Sequence, residues 1–227
     1  MATTTQPPRT RISPALATLI LLIALNLLNF IDRYILPGEL SLIQNEFHAT
    51  REQMGALTTA MFFVYMLAAP LTGWLGDRFS RKPLIIAGAV LWSLATLSTA
   101  WVHDYWTLYF RHAIVGIGEA SFTIFAPAVI ADFYPERDRN RILSIFYVTI
   151  PVGAALGYLA GGQMGTAWGW RQPFFICAIP GLLVALLYGI FGREPQRGAQ
   201  DHIRATANRA TVLGLFRNPA LDRKSVV

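Results

Sequence analysis

Five stretches of this chain run for twenty residues or more without a charged side chain: 12–31, 53–76, 83–102, 142–170 and 172–192. A sixth, 106–131, is interrupted only by Arg111 and Glu119. A helix needs about twenty mainly apolar residues to cross the hydrocarbon core of a bilayer. No water reaches backbone N–H and C=O groups there, so each run must close its own hydrogen bonds as a helix. The predicted fold is therefore an all-α membrane protein with six transmembrane helices. Charged residues make up 14% of the chain, against about 25% in an average soluble domain. A single soluble core is excluded, because 227 residues cannot wrap this many long apolar segments.

The connections fix how the chain is threaded. Residues 73–84 read G-W-L-G-D-R-F-S-R-K-P-L, a turn so short that its flanking helices must be antiparallel neighbours. Place the N-terminus in the cytoplasm. Arg9, Arg11, Arg78, Arg81, Lys82, Arg137, Arg139, Arg141 and the basic residues from Arg193 to Lys224 then fall inside, and only Arg51 and Arg171 fall outside. Basic residues in short cytoplasmic loops set orientation, so topology accounts for the net charge of +6 and no nucleic-acid partner is expected. External links are expected from Glu39 to Glu52, at 103–105 and at 168–171. Trp101, Tyr105, Trp106, Trp168 and Trp170 gather at the external ends, as an interfacial aromatic belt does.

Cys177 is the only cysteine, which leaves no disulfide or cysteine metal site, and no metal or cofactor is expected. The first span is too long for a secretory signal and lacks a cleavage pattern. Arginine far outnumbers lysine (only Lys82 and Lys224), which points to a GC-rich bacterial genome and hence to a bacterial inner membrane.

An internal echo links 71–83 (L-T-G-W-L-G-D-R-F-S-R-K-P) with 159–173 (L-A-G-G-Q-M-G-T-A-W-G-W-R-Q-P). In both, glycines close a span and a basic residue precedes the proline that opens the next. Three spans per unit make the second copy upside down. The expected architecture is two inverted three-helix repeats, an arrangement characteristic of secondary transporters.

Four ionisable residues lie within spans: Asp32, Arg33, Arg111 and Glu119. Each costs about 2.5–3.5 kcal/mol at mid-helix on an insertion scale, roughly 10–14 kcal/mol together if unpaired. At about 100° per residue, Asn26, Asn29, Asp32 and Arg33 share an arc of about 120°, and Arg111, His112, Glu119 and Thr123 form a similar stripe. Both stripes are expected to face one central cavity. Asp32, Arg33 and Arg111 are placed in the outer third, with Glu119 about 12 Å along its helix from Arg111, near the midplane. An Asp32–Arg111 ion pair is predicted. A carboxylate held by arginine in low dielectric responds to every nearby charge, which is how proton binding can couple to a substrate; the alternative is a static bridge that fixes packing. His112 is either a proton relay or hydrogen-bonded near the headgroups. Gly153, Gly157 and Gly161, at four-residue spacing, admit a close neighbouring backbone, with a gating hinge as the second reading. Gly116 and Gly118 are no dinucleotide fingerprint, since no strand precedes them.

The run G-W-L-G-D-R-F-S-R-K resembles the signature loop between the second and third helices of major facilitator superfamily transporters, with Ser80 where that pattern usually has glycine. N-F-I-D-R-Y (29–34), G-I-G-E-A-S-F-T-I-F-A-P-A-V-I-A-D-F (116–133), R-I-L-S-I-F-Y-V-T-I-P-V-G-A-A-L-G-Y (141–158) and the later R-E-P resemble the Spinster branch. The resemblance implies proton-linked movement of lysolipids, sphingosine phosphate or other organic anions. It implies Asp32 and Glu119 as coupling acids, with Arg33 or Arg111 meeting an anionic headgroup and Asn29 in the same cavity. It also implies a cytoplasmic gate of Gly73, Asp77, Arg78, Arg81 and Lys82, with Asp77 capping a helix end and engaging the loop from Arg137 to Arg141.

Such transporters have twelve helices, so the expectation is an N-terminal six-helix half whose C-terminal half is missing. Asp222–Val227 coincide with one reading frame of a common sequencing adapter, which predicts a gene cut short with a non-native end. The expected organisation is a cytoplasmic segment at 1–14, the bundle at 15–192, a cytoplasmic linker at 193–221 and the non-native 222–227. Within the linker, 211–216 is either a small amphipathic surface helix or a solvated connection. The predicted function is secondary active transport, with the bilayer, protons and a small organic or lipid-like substrate as partners. The alternatives are a non-transporting receptor or assembly subunit of the same fold, or a half-transporter acting as a dimer. An intramembrane enzyme is not expected, because the spans hold no nucleophile with its base.

Overall fold

The structure, a computed structural model, describes residues 13–200. The first twelve residues, the segment 211–216 and the terminal 222–227 lie outside the described residues. Six apolar helices of membrane-spanning length are present: α1 (Pro14–Phe47), α2 (Arg51–Arg78), α3 (Arg81–Thr99), α4 (Tyr105–Phe133), α5 (Glu136–Trp168) and α6 (Arg171–Phe191). α5 carries a π-helical turn over Ala160–Met164. Their starts follow from local chemistry. Ser13 caps α1 just before Pro14, and Thr50 forms a reciprocal capping box with Gln53 at α2. Asp104 caps α4, and hydrogen bonds from Thr107 hold its carboxyl below the usual carboxylate range. Each cap satisfies amide groups that the first turn leaves without helical partners.

The one large departure from expectation is α1. Glu39 was expected in an external link, yet the helix continues past Pro37 to Phe47. A proline removes one hydrogen bond, a loss that packed membrane helices tolerate. Here the packing is extensive: Ile35, Leu36 and Ile43 are fully buried, in a cluster with Trp170 and Phe174. The link between α1 and α2 shrinks to residues 48–50, where His48 takes a left-handed conformation.

α1 packs on α5 and α6, α4 packs on α2 and α3, and α3 and α6 pack on each other. Interchanging the first three helices with the last three leaves that pattern unchanged, as two three-helix repeats require. The glycine ladder explains how closely α5 approaches α1. A side-chain carbon on Gly157 or Gly161 would lie 2.5 Å from the carbonyl oxygen of Ile31 or Ile35, and one on Gly153 would lie 2.9 Å from that of Leu27. Both sets of numbers rise together, so α1 and α5 run parallel. Small residues at this spacing are what bring membrane helices to backbone contact.

The described basic segments fall as the charge asymmetry demands. Arg81 and Lys82, at the α2–α3 turn, meet Glu194 just after α6, while the Arg193 amide donates to Thr18 near the start of α1. Arg171 lies at the other end, paired with Glu46. Large apolar side chains such as Phe63, Leu71, Val148 and Leu186 stand exposed on the outside of the bundle, which suits lipid or another helix layer and not water.

Candidate functional site

Among the described residues a buried ion pair joins the middle of the bundle, and it differs from the predicted one. Arg33 Nε donates to Glu119 Oε2 at 2.8 Å, and Nη2 donates to the same oxygen. The Glu119 side chain is 0% exposed and that of Arg33 12%. The guanidinium also lies over the rings of Phe30, Tyr65 and Phe62, at 4.9, 5.6 and 5.7 Å from their centroids. A cation so placed is stabilised by the ring faces as well as by the carboxylate.

The expected Asp32–Arg111 pair does not form. Arg111 Nη1 donates instead to the carbonyl of Ser98 in the last turn of α3, where unsatisfied carbonyls attract a cation. Register explains the difference. Glu119 is the middle residue of α4, and Arg33 lies within a turn of the middle of α1. The two helices run in opposite directions, so pairing Arg33 with Glu119 leaves Arg111 about 12 Å further toward the outer end. Ending α1 at Glu39 had placed Asp32 and Arg33 too close to the surface.

Asp32 faces a different part of the interior. It is 4% exposed, and neither carboxylate oxygen has a hydrogen bond. Trp92 of α3 lies near it, and a carbon added to Gly181 of α6 would stand 4.0 Å from Oδ2. Asn29, one turn earlier, is buried with both amide atoms unpartnered, as are Trp92 Nε1 and Ser93 Oγ. The polar stripe on α1 is thus divided among neighbours. Asn26 donates to Phe146 O and Thr149 Oγ1 of α5, Arg33 meets α4, and Asp32 meets α3 and α6. Of the two stripes, Arg33 and His112 line an open pocket, Glu119 lies buried behind Arg33, and Asp32 is close enough to Glu119 for the two charges to act on each other. A pocket of about 260 Å³ opens beside the pair, lined by Arg33, Tyr34, Thr58, Phe62, His112 and Tyr158.

At the other end, the expected gate residues make a partly different set of contacts. Arg81 Nη1 pairs with Asp132 Oδ2 at 2.6 Å, and Asp132 Oδ1 accepts from the Gly198 amide at 2.9 Å. Glu194 accepts from the backbone amides of Arg81 and Lys82 at 2.6 and 3.2 Å. It thereby caps α3, whose own cap residue Ser80 makes no side-chain bond. Arg197 donates to the carbonyls of Asp77 and Phe79. The Asp77 carboxylate is exposed and has no ion pair or hydrogen bond among the described residues, so its expected engagement of the Arg137–Arg141 loop is not observed. Asp132, at the end of α4, engages Arg81 and the Gly198 amide and not that loop. Arg78 stacks on Trp74 at 3.8 Å, Arg137 pairs with its exposed neighbour Asp138, and Arg141 is exposed. Gly73 has open space where a side chain would stand, whereas Gly76 is pressed against Phe125.

Sequence reasoning missed Glu39, Trp92, Asp132 and the rings around Arg33. Glu194 stood within the R-E-P run but was given no role, and Glu39 could have been found seven residues after Asp32, on the same helical edge.

Residues 22–223 match the family described as Major Facilitator Superfamily. Human protein spinster homolog 1 is 36% identical over 228 residues, covering 96% of this chain and 43% of its own length. The sphingosine-1-phosphate transporter SPNS2 of Danio rerio is 38% identical over 179 residues, covering 78% of this chain and 36% of its own. The crystal structure of a bacterial homolog of the human lysosomal transporter Spinster, inward-facing and unoccupied, matches with a TM-score of 0.80 at 28% identity, over 95% of this chain and 50% of that one. A D-xylose–proton symporter shares the fold, with a TM-score of 0.71 at 20% identity. The chain spans half or less of the length of each of these relatives. The motifs, the six-helix bundle with its exchanged triplets and these similarities agree: the chain belongs to the Major Facilitator Superfamily, is Spinster-like within it, and has the fold of one six-helix half.

Proposed function

We propose that this chain is the N-terminal half of a proton-linked carrier for amphipathic anions of the lysolipid or sphingosine phosphate type, working by alternating access. Its N-terminus lies in the cytoplasm of a bacterial cell, and a second six-helix unit completes the path. The observation that carries this reading is the buried Arg33–Glu119 pair beside an open pocket. A pocket of about 260 Å³ suits a phosphate or carboxylate headgroup, with Arg33 as counter-ion and the rings around it as apolar wall. The named activity of the SPNS2 relative supports this substrate class.

The geometry suggests how the two ligands cooperate. An anion at the mouth of the pocket competes with Glu119 for the guanidinium. A buried carboxylate that loses its partner is left as an isolated charge, at a cost of several kcal/mol, unless a proton neutralises it. Anion and proton therefore bind together, and Asp32 is the second acid available to the cycle. Flux through the twelve-helix protein in proteoliposomes tests this. Uptake of sphingosine 1-phosphate is expected to follow an imposed pH gradient, and to lose that dependence in Glu119→Gln and Asp32→Asn. Unchanged gradient dependence in both variants would remove these acids from coupling.

A further inference from the structure

Glu39 is the most deeply buried acid that the reading above does not use. Its residue exposure is 0%, and neither carboxylate oxygen has a hydrogen bond. It points into the notch that α5 opens at its π-helical turn. A carbon added to Gly165 would lie 2.5 Å from Glu39 Oε1, and one on Gly161 would lie 3.2 Å from its Cγ. Such turns break the regular hydrogen-bond ladder and recur at functional sites. Glycines on both sides of it leave room for a carboxyl group and for nothing larger.

Glu39 is also one member of a series. Asp32, Glu39 and Glu46 are spaced by seven residues, so they fall on one edge of α1 at intervals of about 10.5 Å. Only the outermost of the three is exposed. The Glu46 side chain is 41% exposed at the outer end, Glu39 is fully buried, and Asp32 is 4% exposed near the middle. Glu46 is held at the surface by Arg171, at 2.7 and 3.0 Å, and by Trp170 Nε1 at 2.6 Å. The other titratable groups near this edge are Cys177 of α6, which feels both Asp32 and Glu39, and His103, which acts on Glu46. The segment of α5 over 160–168 carries no titratable side chain. Among the described residues no cation pairs with Glu39, and an ionised carboxylate in that place would stand alone.

We propose that Glu39 is a proton-binding carboxyl, reached from the external surface past Glu46 and linked along the α1–α6 edge to Asp32. It takes a proton and no other ligand, and it lies outside the pocket beside Arg33. Its use in transport rests on the proton-linked reading above, but its occupancy does not. The two are therefore separable by experiment.

Infrared difference spectra of the 227-residue chain in lipid nanodiscs, with pH stepped and with transfer into heavy water, test it. A protonated-carboxyl stretch is expected that changes with pH and shifts on deuteration. It should be lost in Glu39→Gln, kept in Asp32→Asn, and restored at a shifted frequency in Glu39→Asp. Helical circular dichroism equal to the unaltered chain's confirms that each variant folds. Glu46→Gln is expected to slow deuteration of this band. Absence of the band, or a band at Glu39 that neither titrates nor exchanges, overturns the proposal, because the acid would then be a static packing element. Flux that ignores the proton gradient while the Glu39 band titrates would instead count against the coupling scheme alone.

Discussion

Replacing Glu119 by alanine is expected to lower the unfolding free energy of the bundle by about 3–5 kcal/mol, the usual cost of leaving one member of a buried ion pair alone. Arg33 would keep its three aromatic rings but lose both hydrogen bonds to Glu119. It is only 12% exposed, so water does not replace them. The loss should come from the unpaired charge and not from a missing strut. Arg33→Met combined with Glu119→Leu is therefore expected to recover most of the lost stability, since apolar replacement of an entire buried pair is often neutral or better. Unfolding by SDS in mixed micelles reads all three variants. A double variant as unstable as Glu119→Ala would contradict this account of the pair.

The second large effect is expected at Gly157. Valine there would drive a side-chain carbon to 2.5 Å from the Ile31 carbonyl oxygen and 2.8 Å from Tyr34 Cβ. The first of these is backbone in the middle of a helix and cannot swing aside. Overpacking typically costs about 1–3 kcal/mol, and a clash between two helix backbones belongs at the top of that range, so α1 and α5 should separate and the protein should lose its monodisperse form in detergent. Gly162→Ala is the matched control, because its new carbon would come no closer than 3.9 Å to the Gly38 carbonyl. Size-exclusion profiles and thermal unfolding of the two variants should diverge sharply. Equal behaviour would show that the ladder is not a packing device.

Much of this was legible in the chain. The six spans follow from uncharged runs, and a close helix contact through α5 follows from glycines at four-residue spacing, because both depend on local composition alone; that α1 is the partner does not. Partner choice in the interior was not legible. Asp32 and Arg33 are neighbours, so their side chains leave α1 about 100° apart. Periodicity groups them in one stripe, but only the placement of α4, α3 and α6 decides that Arg33 meets Glu119 while Asp32 meets Trp92 and Gly181. The error in depth had a single cause. Glu39 read as the start of an external link, whereas burial of Ile35, Leu36 and Ile43 carries the helix eight residues beyond it, to Phe47. That extension moves the centre of α1 to the level of Glu119. At the α2–α3 turn, the motif pointed to Asp77 engaging the loop from Arg137 to Arg141, whereas the ion pair there joins Arg81 to Asp132.

The central claim is that one guanidinium serves in turn a buried carboxylate and an incoming anion. Proton exchange on ligand binding tests it most directly. A single-chain lipid phosphate is added to the protein in weakly buffered nanodiscs, with a pH-sensitive dye in the bulk. The account predicts net proton uptake in step with binding, abolished in Glu119→Gln while Arg33 still binds the anion. Binding without any proton change, or the same uptake in Glu119→Gln, would contradict it.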